Sequence, residues 1–153
     1  MKIYVIEDNL IKVEKINDFL NNELQDYKDI HFFYSFNSGL KAIKDSAPDL
    51  VLLDMTLPTF DRRPNGREGR SRPLGGYDIM RKMRLFKINS KVIIVTQLES
   101  FGEGSEKVGF NELTDQCREE FPNLFIGSVY FDQSGSAWME ELRRILNISD
   151  IEL

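Results

Sequence analysis

The chain has 153 residues, 41% of them hydrophobic, and a formal net charge of −5. That is enough chain for one folded domain with a sizeable core, and residues 1–153 read as a single domain. The acidic balance argues against general binding to nucleic acid or anionic membranes. No apolar run approaches the roughly 20 residues that span a bilayer, and the N-terminus enters a strand pattern with no signal peptide. One cysteine, Cys117, allows no internal disulfide and fits a reducing compartment. A soluble, cytoplasmic protein is the expectation.

The first apolar run, Lys2–Ile6, ends abruptly in Glu7-Asp8. A helix follows, with Asn9 as N-cap and Val13, Ile16, Leu20 and Leu24 at helical spacing. A second strand spans about Ile30–Phe36 and carries the single histidine, His31, as a strand-surface residue. A short helix runs from about Ser38 to Ser46. The run Leu50–Leu53 is continuously apolar, as in a central strand buried on both faces, and ends in Asp54. A third helix covers about Tyr77–Phe86. A fourth strand, Lys91–Val95, leads into Thr96. A helix from about Ser105 to Phe121 carries Val108, Leu113, Cys117 and Phe121, and Pro122 ends it. A fifth strand, Leu124–Tyr130, and a last helix, about Ser136–Leu146, complete the alternation. This pattern predicts an α/β fold, a five-stranded parallel sheet with helices on both faces.

In open parallel sheets, ligands bind outside the carboxyl ends of the strands. Glu7, Asp8 and Asp54 would gather there, with the Thr96 hydroxyl at the same edge. Three crowded acids repel unless a hard cation joins them, and Mg²⁺ takes oxygen ligands of this kind.

These features together resemble the receiver domain of two-component response regulators. The likeness rests on the acidic pair after the first strand, Asp54 after the third with Pro58 four residues on, and Thr96 after the fourth. Asn37–Ile43, Pro48–Asp54 and Gly76–Met80 also read like the family. The resemblance implies a flavodoxin-like sheet of order 2-1-3-4-5. It implies that Asp54 accepts a phosphoryl group from a kinase phosphohistidine, a carboxylate being a legitimate nucleophile for this chemistry. Asp8, Asp54 and the backbone carbonyl of Met55 would bind Mg²⁺, Glu7 would hold a metal-bound water, and Thr96 would donate to the phosphoryl group as the switching step. Partners would be a histidine kinase or phosphotransfer protein and a downstream protein, or a second copy of the chain. Such a module is a signalling domain and not an enzyme in the ordinary sense. The chain stops soon after its last helix, so no output domain is expected.

Three departures bear on that expectation. The family places a lysine after the fifth strand, whereas this chain reads Tyr130-Phe131-Asp132-Gln133-Ser134. Gln133 falls at the lysine position, or Asp132 if the register slips by one. A neutral donor is about half as strong as a charge-assisted one. The second departure is an insertion at about 59–75, in which five arginines against Asp61 and Glu68 give +3. It reads as a loop: solvated and disordered, a docking element for an acidic partner, or the source of an arginine that replaces the lysine. The third is a longer segment, about 97–107, rich in glycine but without a phosphate-loop signature.

Two other functions compete. The first is a receiver-like interaction domain that works without phosphate. The second is a flavodoxin-like cofactor binder or a haloacid-dehalogenase-type phosphatase. Thr56 stands where that phosphatase needs a second aspartate, and Glu7-Asp8 would repel a cofactor phosphate. Phe101, Phe110, Tyr130 and Trp138 read as packing residues, Tyr130 or Trp138 marking a dimer face if exposed. Cys117 reads as a buried packing thiol. In the family, the residues two beyond the acceptor and two beyond the threonine tune the phosphate lifetime; here these are Thr56 and Leu98, and apolar Leu98 would position no water, so the resemblance implies a long-lived phosphoprotein.

Overall fold

The computed structural model describes residues 1–24, 28–62, 69–101 and 104–149. Five parallel strands form the central sheet: β1 (Lys2–Ile6), β2 (Asp29–Phe33), β3 (Leu50–Leu53), β4 (Lys91–Thr96) and β5 (Phe125–Tyr130). Their spatial order is β2-β1-β3-β4-β5. Five helices connect and flank them: α1 (Leu10–Glu23), α2 (Phe36–Asp45), α3 (Gly75–Leu85), α4 (Phe110–Glu120) and α5 (Ala137–Ile148). This is the flavodoxin-like arrangement, whose strand order reverses between β1 and β3.

Period-two alternation divides the core into two layers. Tyr4, Ile6, Val51, Leu53, Val92 and Ile94 face the layer that also holds Met80, Met83, Leu113 and Cys117. Ile3, Val5, Leu50, Leu52, Ile93 and Val95 face the layer that holds Ile16, Leu20, Trp138 and Leu142. All four residues of β3 are buried, so both of its faces are covered. Truncating such a residue, as in Leu52→Ala, removes contacts that cannot re-form and costs about 2–5 kcal/mol.

Several element boundaries differ from the sequence expectation, each for a local reason. β2 ends at Phe33 because Ser35 caps α2, its hydroxyl accepting from the Ser38 N–H at 3.1 Å, and Phe36 turns into the core as the first residue of that helix. α4 begins at Phe110 and not near Ser105, because Val108–Gly109 pairs with Ser100–Phe101 in a small antiparallel ribbon. A second ribbon, Leu57–Pro58 with Ser71–Arg72, closes the base of the arginine-rich insertion. Arg63 and Arg67 of that insertion lie outside the described residues. On α1 the buried face is Lys12, Ile16, Phe19 and Leu20, with Val13 only half-buried. Among the described residues, no helix is long and apolar enough to cross a membrane.

His31 is exposed on β2 and pairs with Asp29 at 2.8 Å. Cys117 is buried, and burial pushes its thiol up to about 12. Trp138 is buried and Tyr130 exposed, so of these two the tyrosine alone reaches the surface.

Candidate functional site

β1 and β3 are neighbours in register, Ile6 opposite Leu53, so the residues that follow them leave the sheet side by side. The Glu7 N–H donates to the Phe33 carbonyl at 2.9 Å and the Asp54 N–H to the Ile6 carbonyl at 3.0 Å, which continues the ladder one residue into the acids. Ligand oxygens of Glu7, Asp8 and Asp54 then lie within 4.8 Å of one another. They border a cleft of about 290 Å³, which Thr56, Arg62 and Leu98 also line.

Each acid is held differently. Glu7 is 2% exposed and its Oε1 accepts the Asn9 N–H at 2.9 Å. Asp54 is 9% exposed and its Oδ1 accepts the Met55 N–H at 2.8 Å. Asp8 is half-buried. Asn9 also caps α1, its side chain accepting from the N–H groups of Ile11 and Lys12. That cap fixes where the first turn of α1 starts.

The first turn delivers a residue that sequence reasoning passed over. Lys12 is 1% exposed, and its Nζ stands 2.5 Å from Glu7 Oε2 and 3.3 Å from Asp54 Oδ1. The same ammonium donates to the Val95 carbonyl at 2.7 Å and lies 5.7 Å from the centre of the Phe131 ring. A signal for it existed: Lys12 falls four residues before Ile16 and seven before Phe19, on the apolar stripe of the helix. A buried lysine requires a partner, and the strand-end acids are the nearest.

Crowding shows in the acids' protonation. Burial, reinforced by the charge of Asp54, pushes the Glu7 carboxyl up to about 8, against the opposing pull of Lys12. Burial and Asp54 also raise Asp8 above the ordinary carboxylate range, and Arg62 partly offsets them. Oxygen-only donors that repel one another fit a hard divalent cation, which would relieve that repulsion.

The other expected site residues are placed as follows. The Met55 carbonyl accepts the Gly76 N–H at 2.8 Å, and Met55 is buried beneath the cleft, not along it. Thr56, one residue on, lines the cleft, so the chain brings that residue and not Met55 to its wall. Thr96 ends β4 as expected but is fully buried, its hydroxyl accepting from the Leu98 N–H at 3.4 Å; Gln97 and Leu98 form the wall on that side. Gln133 is exposed and away from the cleft lining, with its backbone carbonyl held by Lys15 Nζ at 2.7 Å. Asp132 folds back on its own turn, its Oδ1 accepting from the N–H and hydroxyl of Ser134. Neither residue enters the acidic cluster.

Comparison with known proteins points to one group. No protein-family model matches the chain. The Detocs response regulatory protein DtcB of Enterobacter cloacae (strain JD6301) is 33% identical over 144 residues, which cover 93% of this chain and 95% of that protein. A protein of the same description from Vibrio alginolyticus is 21% identical over 146 residues, covering 94% and 98%. Among solved structures, a response regulator receiver domain protein from Clostridium thermocellum matches with a TM-score of 0.58 at 18% identity, over 98% of this chain and 97% of that one. The Mn²⁺-bound form of response regulator Rcp1 matches with a TM-score of 0.63 at 11% identity, over 97% and 93%.

Proposed function

The chain belongs to the response-regulator receiver family, and we propose that it works as a phosphoryl acceptor in signal transduction, with Asp54 as the acceptor and Mg²⁺ as the cofactor. The observation that carries this reading is the convergence of Glu7, Asp8 and Asp54 within 4.8 Å at the carboxyl edge of the sheet, where the strand order reverses.

Asp54 Oδ1 is occupied by the Met55 N–H and faces Lys12, so Oδ2 is the oxygen available to attack phosphorus. Asp8 and Asp54 would hold the metal, with Glu7 contributing through a water. Mg²⁺ usually keeps several waters, so few protein ligands suffice. When bound, the ion neutralises charge on the transferring phosphoryl oxygens, the main demand of such a transfer. Thr96 would turn its hydroxyl from the Leu98 N–H toward the phosphoryl group, which couples the acceptor to the end of β4. Arg62 lines the cleft close enough to Asp8 to act on its charge, so the insertion contributes to the site's electrostatics. The phosphoryl donor would be a histidine kinase or phosphotransfer protein. The readout would be a protein partner at the α4–β5–α5 face, where Tyr130 is exposed. The regulatory descriptions of the DtcB relatives support a signalling role over catalytic turnover.

The test is intact mass after incubation with Mg²⁺ and acetyl phosphate, wild type beside Asp54→Ala. An adduct on wild type alone supports the reading. A second reading, a receiver-like interaction domain independent of phosphate, is favoured by the absence of Gln133 and Asp132 from the cleft. No adduct together with no Mg²⁺ binding would select it.

A further inference from the structure

We propose that Lys12, reaching in from α1, supplies the cation that holds a phosphoryl group on Asp54, the part that no residue after β5 plays in this chain. This rests on Asp54 being the acceptor.

The loop after β5 contains no lysine or arginine from Phe131 to Ser136; Asp132 is turned to Ser134, and Gln133 is exposed outside the cleft lining. Lys15, the other α1 lysine near that loop, is committed to the Gln133 carbonyl at 2.7 Å. Lys12 Nζ, in contrast, sits 3.3 Å from the acceptor carboxylate and 2.5 Å from Glu7. It is fully desolvated and held at a third point by the Val95 carbonyl, so little reorganisation precedes its use. Preorganised charge in a water-excluded site acts far more strongly than the same charge in solvent.

Acetyl phosphate makes the charge change explicit. An Asp54 oxygen forms the new bond to phosphorus, the bond from phosphorus to the acetyl oxygen breaks, and its electron pair leaves with acetate. No proton moves, and the side chain goes from one negative charge to two. A resident ammonium offsets that added charge. The same ammonium bonds to Val95, the residue before Thr96, so its shift onto a phosphoryl oxygen would loosen the end of β4.

The alternative is that Lys12 is only a structural counterion for Glu7. Two variants, Lys12→Met and Lys12→Arg, separate the roles once circular dichroism shows that each folds. Adduct formation with Mg²⁺ and acetyl phosphate is followed by intact mass, and Mg²⁺ affinity by calorimetry. Lys12→Met should form adduct at least about tenfold more slowly, the scale of losing one preorganised donor. It should bind Mg²⁺ at least as tightly as wild type, because the ammonium no longer competes for Glu7 and Asp54. Lys12→Arg should recover part of the rate. Adduct at the wild-type rate in folded Lys12→Met overturns the assignment and leaves Asp54 as acceptor intact. No adduct on wild type overturns the acceptor reading and this assignment with it. Because Lys12→Met can fail to fold, wild type labelled at its lysine ammonium groups provides a second measurement. The Lys12 signal, identified by its absence in Lys12→Arg, should shift when beryllofluoride joins Mg²⁺, and a signal that stays fixed overturns the proposal.

Discussion

The Gly76 N–H donates to the Met55 carbonyl at 2.8 Å, and a Cβ on Gly76 would stand 2.5 Å from the carbonyl oxygen of Asp54. The first turn of α3 is therefore docked directly against the Asp54–Met55 backbone, and the contact closes only without a side chain. Gly76→Ala must push the Asp54–Met55 segment away or displace α3. Overpacking of this kind costs about 1–3 kcal/mol. We expect a lowered urea midpoint, and a loss of Mg²⁺ affinity larger than that of an equally destabilising change remote from the cleft, such as Leu142→Ala. Equal Mg²⁺ affinity in the two variants would show that the contact is structural only.

Glu7 links the site to pH. Its folded-state carboxyl is raised from the ordinary 4.5 to about 8 by burial and by Asp54. A raised folded value means that the folded protein holds a proton the unfolded chain has released. The stabilisation from this group is fully present below about pH 4.5 and is lost as pH rises through about 8. Mg²⁺ binding should expel that proton, so affinity should rise with pH across the same window. Calorimetry in buffers of different ionisation enthalpy should detect more released proton in wild type than in Glu7→Gln. Binding without proton release in wild type would count against a protonated Glu7.

Much of this architecture can be read from the residues, and the exceptions share a cause. β1, β3 and β4 are nearly continuous apolar runs because both their faces are covered, and the acids after β1 and β3 stand out against that background. Lys12 was missed because a charged residue on a helix is ordinarily solvated. Val13 made an equally good start to an apolar stripe, and only the cap at Asn9 fixes the rotation that turns Lys12 inward. Ser35 and Val108 misled for a related reason: a hydroxyl cap and a two-residue ribbon are decided by tertiary partners, not by local periodicity.

Leu98 should govern how long a phosphoryl group survives. It is 41% exposed and lines the cleft beside Gln97, and its side chain has no atom that could orient a water. The Thr56 hydroxyl, also at the cleft, is committed to the Pro73 carbonyl at 2.9 Å. The phosphoprotein should therefore persist, decaying over minutes or longer, and Leu98→Gln should shorten its lifetime several-fold by offering an amide to the attacking water. The decay is read by mass after the donor is removed. Loss within seconds in wild type would contradict the assignment.

Trp138 gives an optical report of the site through two aromatic steps. Its ring lies 4.9 Å from that of Phe131, which in turn lies 5.7 Å from Lys12 Nζ. The indole N–H is buried with no hydrogen-bond acceptor among the described residues, and the ring also packs against Phe19 at 5.6 Å, so its emission depends on how this cluster is arranged. Any shift of the ammonium when Mg²⁺ or beryllofluoride enters the cleft changes the field over Phe131 and its packing on the indole. Wild type should show a saturable change in tryptophan emission with each ligand. Phe131→Leu should reduce that change while leaving Mg²⁺ affinity by calorimetry within about twofold, since the Phe131 side chain carries no group that could ligate the ion. An undiminished change in Phe131→Leu would mean that the signal reaches Trp138 by another route, with α1 and Phe19 as the remaining connection.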